Sequence, residues 1–189
     1  MEGYCALFGG SFDPPHLGHR AIVQGVLRHP DITKVIVMPA WLNPFKERSH
    51  ATPEQRLRWC RTVLDLPGVE ISDWEIRQQR PVYTIETWEY LKSRGRPLRY
   101  LVIGSDNLPT ITRWHEFERL NDEAVWIVAT REDELPDLSP LKRAELLKVE
   151  VPVSSTMIRR GEGLEYLDPR IRDEVIAVYG RETNTKESM

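Results

Sequence analysis

Two histidines, His16 and His19, lie three residues apart directly behind a glycine pair, in the segment GGSFDPPHLGH of residues 9–19. The apolar run from Tyr4 to Phe8 predicts a strand before this segment, and helical periodicity begins at about Leu17. Glycines let the backbone approach an anion closely, and a helix start offers unpaired amides and the positive end of a dipole. Side chains three residues apart on a helix share a face, so both imidazoles can point at one phosphate group.

Two simpler interpretations of this segment are a tight turn with a capping histidine and a zinc site. A turn alone does not explain why glycines, a helix start and paired imidazoles coincide. The zinc interpretation fails because the remaining histidines and the two cysteines show no metal-ligand spacing. These residues are His29, His50, His115, Cys5 and Cys60.

A second polar cluster opens a predicted helix near the other end of the chain, in the segment VSSTMIRR of residues 153–160. Ser154 or Ser155 can cap this helix, which is the usual role of such residues. Arg159 lies one turn further on, so hydroxyls, helix-start amides and a guanidinium can together form an anion cradle. Capping alone remains the alternative for this segment.

Both segments resemble motifs of the nucleotidyltransferase superfamily. The first is similar to the G-G-[ST]-F-D-P-x-H-x-G-H motif of bacterial nicotinate-mononucleotide adenylyltransferases, and the second to their I-S-S-T-x-I-R box. The resemblance spans Leu7 to Tyr179, with the motifs in the family's order. It implies that His16 and His19 contact the ATP phosphates and stabilise charge on the departing pyrophosphate, while the second box grips the β- and γ-phosphates.

Three further segments resemble the family more weakly. Residues 43–46, NPFK, stand where the family has P-P-H-K, so Lys46 aligns as a phosphate ligand while Phe45 replaces the histidine. Tyr83-Thr84 resembles the family's S-Y-T, although Thr84 could equally be an ordinary helix cap. Residues 103–106, IGSD, resemble I-G-x-D, which lies against the nucleotides. Trp114 could stack on a pyridine ring or pack in the core.

The resemblance therefore implies two sets of binding residues besides the catalytic His16 and His19. The ATP set is Gly9, Gly10, Ser11, Phe12, Gly18, Gly104, Asp106, Arg131, Ser154, Ser155, Thr156 and Arg159. The mononucleotide set is Lys46, Tyr83, Thr84, Asp106 and Trp114. No dedicated metal ligands are expected, because Mg²⁺ would arrive with ATP, held mainly by phosphates and water.

Apolar runs alternate with helical periodicity along the chain, which predicts an α/β fold with an open parallel sheet and helices on both faces. Strands are predicted at Tyr4–Phe8, Lys34–Met38, Val69–Ser72, Leu98–Ile103, Ala124–Ala129 and Val149–Val153. Helices are predicted at Leu17–Leu27, Thr52–Leu64, Thr84–Arg94, from Ser154 or Ser155 to Arg160, and from Asp168 to Tyr179-Gly180. No repeat or linker indicates a second domain, so we expect one Rossmann-like domain at residues 1–181, and the polar residues 182–189 are expected to form a frayed tail.

The predicted strand ends give an independent geometric argument for one site. Gly9, Lys46, Asp106, Arg131 and Ser155 each follow a predicted strand. In an open parallel sheet the carboxyl ends of the strands form one edge, and ligands bind where the strand order reverses. Residues distant in sequence are therefore expected to meet there.

Composition restricts the classes of partner. The 189 residues are 40% hydrophobic and 29% charged, which is typical of one soluble globular domain. A net charge of -3 excludes the basic footprint of a nucleic-acid or anionic-membrane binder. No secretory or membrane-spanning segment is evident, so we expect a cytoplasmic protein whose Cys5 and Cys60 are free buried thiols. Homo-oligomerisation stays open.

The resemblance implies transfer of AMP from ATP to nicotinate mononucleotide, with His16, His19, Lys46 and Arg159 supplying charge and hydrogen bonds. Nicotinamide mononucleotide is an alternative acceptor, and the loop of residues 43–46 also resembles phosphopantetheine adenylyltransferases. A class I aminoacyl-tRNA synthetase would need a tRNA-binding domain. A dehydrogenase would show G-x-G-x-x-G after the first strand. A nucleotide sensor would bind ATP without releasing pyrophosphate.

Overall fold

A single parallel sheet organises the protein, whose computed structural model describes residues 3–131 and 135–186. Within those residues the sheet has six strands in the order β3-β2-β1-β4-β5-β6, the Rossmann order, and all neighbours pair in parallel. The strands are β1 (Tyr4–Gly10), β2 (Ile32–Pro39), β3 (Val69–Ile71), β4 (Leu98–Gly104), β5 (Val125–Arg131) and β6 (Ala144–Val149). The predicted fold class is confirmed.

Helices cover both faces of this sheet. They are α1 (Leu17–Leu27), α2 (Pro53–Val63), α3 (Trp74–Arg77), α4 (Thr84–Ser93), α5 (Phe117–Glu123), α6 (Ser155–Arg159) and α7 (Arg172–Lys186), with 3₁₀ helices at Ser105–Arg113 and Leu164–Tyr166. The predicted start of α2 is confirmed: Gln55 N donates to Thr52 Oγ1 at 3.1 Å, and Thr52 N donates to Gln55 Oε1 at 2.9 Å. This reciprocal cap satisfies amides that have no partner inside the helix.

Successive strand residues point to opposite faces, and each face has its own core. In β1, Ala6 and Phe8 pack in the core under α1 and α2, whereas Cys5 and Leu7 pack in the core under α4 and α5. Cys60 belongs to the first core, so the sheet separates the two cysteines, and both are free and buried as predicted. None of the described helices is long and apolar enough to cross a bilayer.

Three predicted boundaries are wrong. The last strand occupies Ala144–Val149 rather than Val149–Val153, because β6 is an edge strand whose exposed charged residues hide it from an apolar-run search. Asp168 forms a turn with Arg170 and Ile171, so α7 starts later than predicted. Gly180 does not end α7, which continues to Lys186; residues 187–189 of the predicted tail lie outside the described residues.

The structure also contains elements that the sequence analysis missed. Helices α3 and α5 have 4 and 7 residues, too few to develop a clear helical period. The 3₁₀ helix Ser105–Arg113 contains Pro109, a residue that argues against a regular helix. These short helices lie in segments for which no regular structure was predicted.

Candidate active site

The two motif histidines hold each other at the turn between β1 and α1. His16 caps α1: its Nδ1 accepts from the amides of Gly18 at 3.1 Å and His19 at 3.4 Å. The Nδ1 of His19 accepts in return from the amide of His16 at 3.1 Å. The rings are stacked, with centroids 3.8 Å apart and planes inclined by 26°. The predicted pairing of the imidazoles is confirmed, and their orientation is fixed by the helix start itself.

This arrangement sets the protonation of both rings. Because each Nδ1 accepts a hydrogen bond, the proton of each neutral imidazole lies on Nε2. Burial and the positive charge of Arg131 lower the pKa of His19 to about 3. Burial, together with His19 and Arg131, lowers the pKa of His16 well below its ordinary value. At neutral pH and without ligand, the pair therefore offers two hydrogen-bond donors.

Helix α6 is attached to the turn that carries the histidines. Ser154 caps α6 by accepting from the Met157 amide at 3.1 Å, so the capping interpretation holds for this residue. Ser155 Oγ donates to the Pro14 carbonyl at 2.8 Å, and Arg159 Nη1 donates to the Asp13 carbonyl at 2.8 Å. The two motifs, separated by more than a hundred residues, form one continuous polar wall.

Asp13 anchors this wall from below. Its buried carboxylate accepts from the His50 amide at 2.8 Å, the Ala51 amide at 3.0 Å and the Tyr179 hydroxyl. Burial alone would raise the pKa of Asp13, but these hydrogen bonds outweigh it and hold the pKa below its ordinary value. Asp13 therefore ties α7, through Tyr179, to the histidine turn.

Arg56, on α2, is a second support that sequence reasoning missed. Its side chain is 0% exposed, and it donates to three carbonyl oxygens: Ser11 at 2.5 Å, Trp41 at 2.8 Å and Ala51 at 3.4 Å. The guanidinium thus joins the loop after β1 to the loop after β2. One arginine on an amphipathic helix looks like an ordinary surface charge, so no sequence signal distinguishes it.

A cleft of about 1620 Å³ opens along the carboxyl ends of the strands, on both sides of the β1–β4 boundary where the strand order reverses. It gathers every predicted site residue. These are Gly9, Gly10, Ser11, Phe12, His16, Gly18, His19, Lys46, Tyr83, Thr84, Gly104, Asp106, Trp114, Arg131, Ser154, Ser155, Thr156 and Arg159. The predicted convergence of distant residues is confirmed.

Close approach explains one glycine of the first motif. A Cβ at Gly18 would lie 2.9 Å from the His16 ring and 3.1 Å from Val153, which immediately precedes α6. The helix start can therefore lie against α6 only if this residue has no side chain.

Lys46 lies near the loop after β1: its Nζ donates to Ser11 Oγ at 3.2 Å. Burial, together with the charge of Arg159, lowers the pKa of Lys46.

The part of the cleft lined by the histidine turn and α6 is its first half, and the remainder is its aromatic half. The exposed ring of Tyr83 lies against His115, with centroids 4.5 Å apart. Tyr83 occupies the cap position of α4 and Thr84 the first helical position, so the interpretation of Thr84 as the cap is wrong. Trp114 packs edge-on against the buried Trp126 and also lines the cleft, so its stacking on a pyridine ring stays a prediction. Phe45 is 55% exposed on the same cleft.

Comparison with known proteins agrees with this geometry. The cytidylyltransferase-like family model matches residues 7–161. A relative from Sulfurovum sp., named as a probable nicotinate-nucleotide adenylyltransferase, is 46% identical over 171 residues, which cover 90% of each chain. The chain belongs to the nicotinate-nucleotide adenylyltransferases, within the cytidylyltransferase-like family.

A second relative and a solved structure extend the comparison. A relative from Nitratiruptor sp. with the same name is 44% identical over 177 residues, covering 92% of this chain and 97% of its own. The fold is similar to that of Plasmodium falciparum nicotinic acid mononucleotide adenylyltransferase complexed with NaAD, with a TM-score of 0.78. That match has 18% sequence identity and covers 94% of this chain and 96% of the other. The two chains therefore share a fold at low sequence identity.

Proposed function

We propose that this cleft transfers the AMP part of ATP to nicotinate mononucleotide, forming nicotinate adenine dinucleotide and pyrophosphate. The observation that carries the proposal is the stacked, mutually capped pair of His16 and His19 beside the start of α6. The names of the relatives support nicotinate mononucleotide as the acceptor. They lend no support to phosphopantetheine or nicotinamide mononucleotide.

The reaction is a direct in-line displacement. An oxygen of the mononucleotide phosphate attacks the α-phosphorus of ATP, and a new P–O bond forms. The bond from the α-phosphorus to the oxygen bridging to the β-phosphate breaks, and its electron pair leaves with pyrophosphate. Catalysis then depends on aligning two anionic substrates and stabilising charge on the leaving group.

The first half of the cleft is suited to the triphosphate. Arg159 and Lys46 bring positive charge, and the hydroxyls of Ser155 and Thr156 lie at the start of α6. The neutral histidines add donors whose orientation is set before ATP binds, so no reorganisation is needed as charge develops on pyrophosphate. A bound triphosphate also favours protonation of the imidazoles, because nearby negative charge raises a histidine pKa.

The aromatic half of the cleft is suited to the acceptor. Trp114 and Tyr83 offer ring surfaces for a pyridine, and Thr84 and Asp106 offer polar groups. Because both halves belong to one cleft, the mononucleotide phosphate would meet the α-phosphate between them.

We further propose that Mg²⁺ enters as part of the ATP substrate, held mainly by phosphate and water oxygens. Asp106 is a carboxylate of the cleft wall that could contact such an ion. Residues 3–131 and 135–186 contain no group of three or more His, Cys, Asp or Glu side chains arranged around a metal position. We also propose a reducing compartment, the cytoplasm, which is compatible with two buried free thiols.

Acceptor competition tests the proposed function. The purified protein is incubated with ATP and Mg²⁺ plus nicotinate mononucleotide, nicotinamide mononucleotide or phosphopantetheine, and pyrophosphate and adenylylated product are quantified. We expect equimolar pyrophosphate and nicotinate adenine dinucleotide, formed faster than the product of either other acceptor. Pyrophosphate release only with phosphopantetheine, or ATP binding with no pyrophosphate from any acceptor, would show that the proposal is wrong.

A further inference from the structure

A buried carboxyl group, that of Glu75 on α3, lines the cleft outside the family motifs described above. Glu75 is 7% exposed, and its Oε1 accepts from the hydroxyl of the buried Thr87 at 2.5 Å. Among the described residues, no hydrogen bond to its other oxygen, Oε2, is found. Oε2 is nevertheless not fully buried, because the only fully buried polar side-chain atom without a partner in the described residues is Nε of Arg172. One oxygen of the group is therefore held by Thr87, and the other keeps some exposed surface in a residue that lines the cleft.

Its position assigns Glu75 to the aromatic half of the cleft. Thr87 lies three residues after Thr84 on α4, so the two threonines share one face of that helix. Glu75, bonded to Thr87, therefore lies beside α4 and lines the same cleft as Tyr83 and Thr84. The histidine pair and α6 belong to the opposite half. Under the proposed function, this is the half that receives the acceptor.

The surroundings of Glu75 favour its neutral form. Burial raises the pKa of Glu75 to about 8; the hydrogen bond from Thr87 opposes this shift, and the negative charge of Glu86 adds to it. The neighbouring arginines are paired elsewhere, Arg77 with Asp73 at 2.9 Å and Arg80 with Glu86 at 2.7 Å. The other polar and titratable groups that line this part of the cleft are Tyr83, Thr84, Asp106 and His115. At neutral pH the side chain is mainly a carboxylic acid.

We propose that Glu75 determines acceptor specificity by donating a hydrogen bond, as a neutral acid, to the anionic substituent on the aromatic ring of the acceptor. This inference depends on the proposed function, because that function supplies an acceptor with a ring carboxylate. A neutral acid donates a charge-assisted hydrogen bond to a carboxylate. An ionised Glu75 would repel the carboxylate and would instead accept from an amide nitrogen. The protonation state thus distinguishes the acid mononucleotide from the amide.

The pH dependence of binding gives the test. Dissociation constants of nicotinate and nicotinamide mononucleotide are measured by calorimetry from pH 7 to pH 9, with an unreactive α,β-methylene analogue of ATP present. As Glu75 ionises, the constant for the acid should rise about tenfold over this range, whereas that for the amide should not. The ratio of the two constants is used because loss of charge on Lys46 would weaken both ligands alike.

Two substitutions separate a specificity role from a structural one. Glu75→Gln stays neutral at every pH, keeps an oxygen for Thr87 and offers an N–H to the ligand, so we expect tight binding of the acid with no pH-dependent ratio. Glu75→Leu removes the donor and should weaken the acid about tenfold or more while sparing the amide. The control is Glu89→Gln, at an exposed position of α4 that pairs with Arg119. If Glu75→Leu does not fold, the Gln variant decides alone.

The inference is wrong if the ratio is independent of pH in the unmodified protein, or if Glu75→Gln retains the same pH-dependent ratio. Failure of the proposed function gives a different result. In that case the unmodified protein forms no dinucleotide from ATP and nicotinate mononucleotide at any pH. The two hypotheses can therefore be rejected separately.

Discussion

His16 and His19 are oriented by each other before any substrate is present. Each Nδ1 accepts a hydrogen bond from a backbone amide at the helix start. Each Nε2–H is therefore left as a donor for a ligand. The pair combines the geometry of a helix cap with the chemistry of a binding site. A rotation of either ring would leave helix-start amides unpaired, which costs about 1 kcal/mol or more.

The depressed pKa values predict acid sensitivity. A histidine in the unfolded chain binds its proton near pH 6.5, whereas folded His19 does so only near pH 3. Protons therefore favour the unfolded chain between these values, and His19 alone should lower the free energy of unfolding by about 1–2 kcal/mol between pH 6.5 and 5. Urea denaturation at the two pH values measures this loss.

The matched control for this prediction is His19→Gln. Glutamine does not titrate, and it suits the third helical position of a capping box. The variant should lose less stability on acidification than the unmodified protein. Equal losses in the two proteins would mean that His19 is not the titrating group.

The sequence was sufficient to predict the histidine pair, because side chains three residues apart lie on the same face of a helix. It was not sufficient to predict their charge. The low pKa values depend on burial and on Arg131, which is distant in sequence and reaches the site only through the fold. The supporting roles of Asp13 and Arg56 were missed for the same reason, since their partners lie on other loops and on α7.

At the scale of elements, α2 supports the site without contributing a predicted ligand. The planar guanidinium of Arg56 reaches carbonyl oxygens on two loops that a single ammonium group cannot satisfy together. The position of the histidine turn therefore depends on α2, although α2 lies far from this turn in sequence. Packing of α2 against the sheet fixes the turn indirectly.

Arg56→Lys should destabilise the protein although it keeps the charge. Carbonyl oxygens left without donors in the interior cost about 1–3 kcal/mol each, so we expect a loss of at least about 2 kcal/mol in the free energy of unfolding and a higher KM for ATP. Arg58→Lys is the control, because Arg58 is exposed on the same helix and pairs with Glu174. It should change the free energy by no more than about 0.5 kcal/mol.

Denaturant unfolding and steady-state kinetics on the two variants check this prediction. Equal stability of Arg56→Lys and Arg58→Lys would show that the buried guanidinium is not needed.

Local sequence patterns predicted some elements of the fold and missed others. The cap of α2 was predicted from short-range chemistry. The cap of α1 by His16 was considered only as a simpler alternative to a phosphate site, and β6 was misplaced because an exposed edge strand lacks an apolar run.

At the scale of the whole molecule, strand order converts separate motifs into one cleft. Placing β1 beside β4 brings the histidine turn next to Gly104 and Asp106, although these segments are far apart in sequence. The alternation of elements predicted a parallel sheet and a common edge, but it contained no information on strand order. The boundary at which that order reverses became visible only in the structure.

The central claim is that the paired imidazoles stabilise the pyrophosphate that leaves this cleft. His16→Asn and His19→Gln test it, because asparagine still caps a helix and glutamine still completes the capping box, while neither has an imidazole. The measurement is kcat for nicotinate adenine dinucleotide formation in variants whose folding is verified by thermal denaturation. We predict a fall of about 10² or more in each, as for the loss of a donor aimed at transition-state charge. Unchanged kcat in both folded variants would contradict the account.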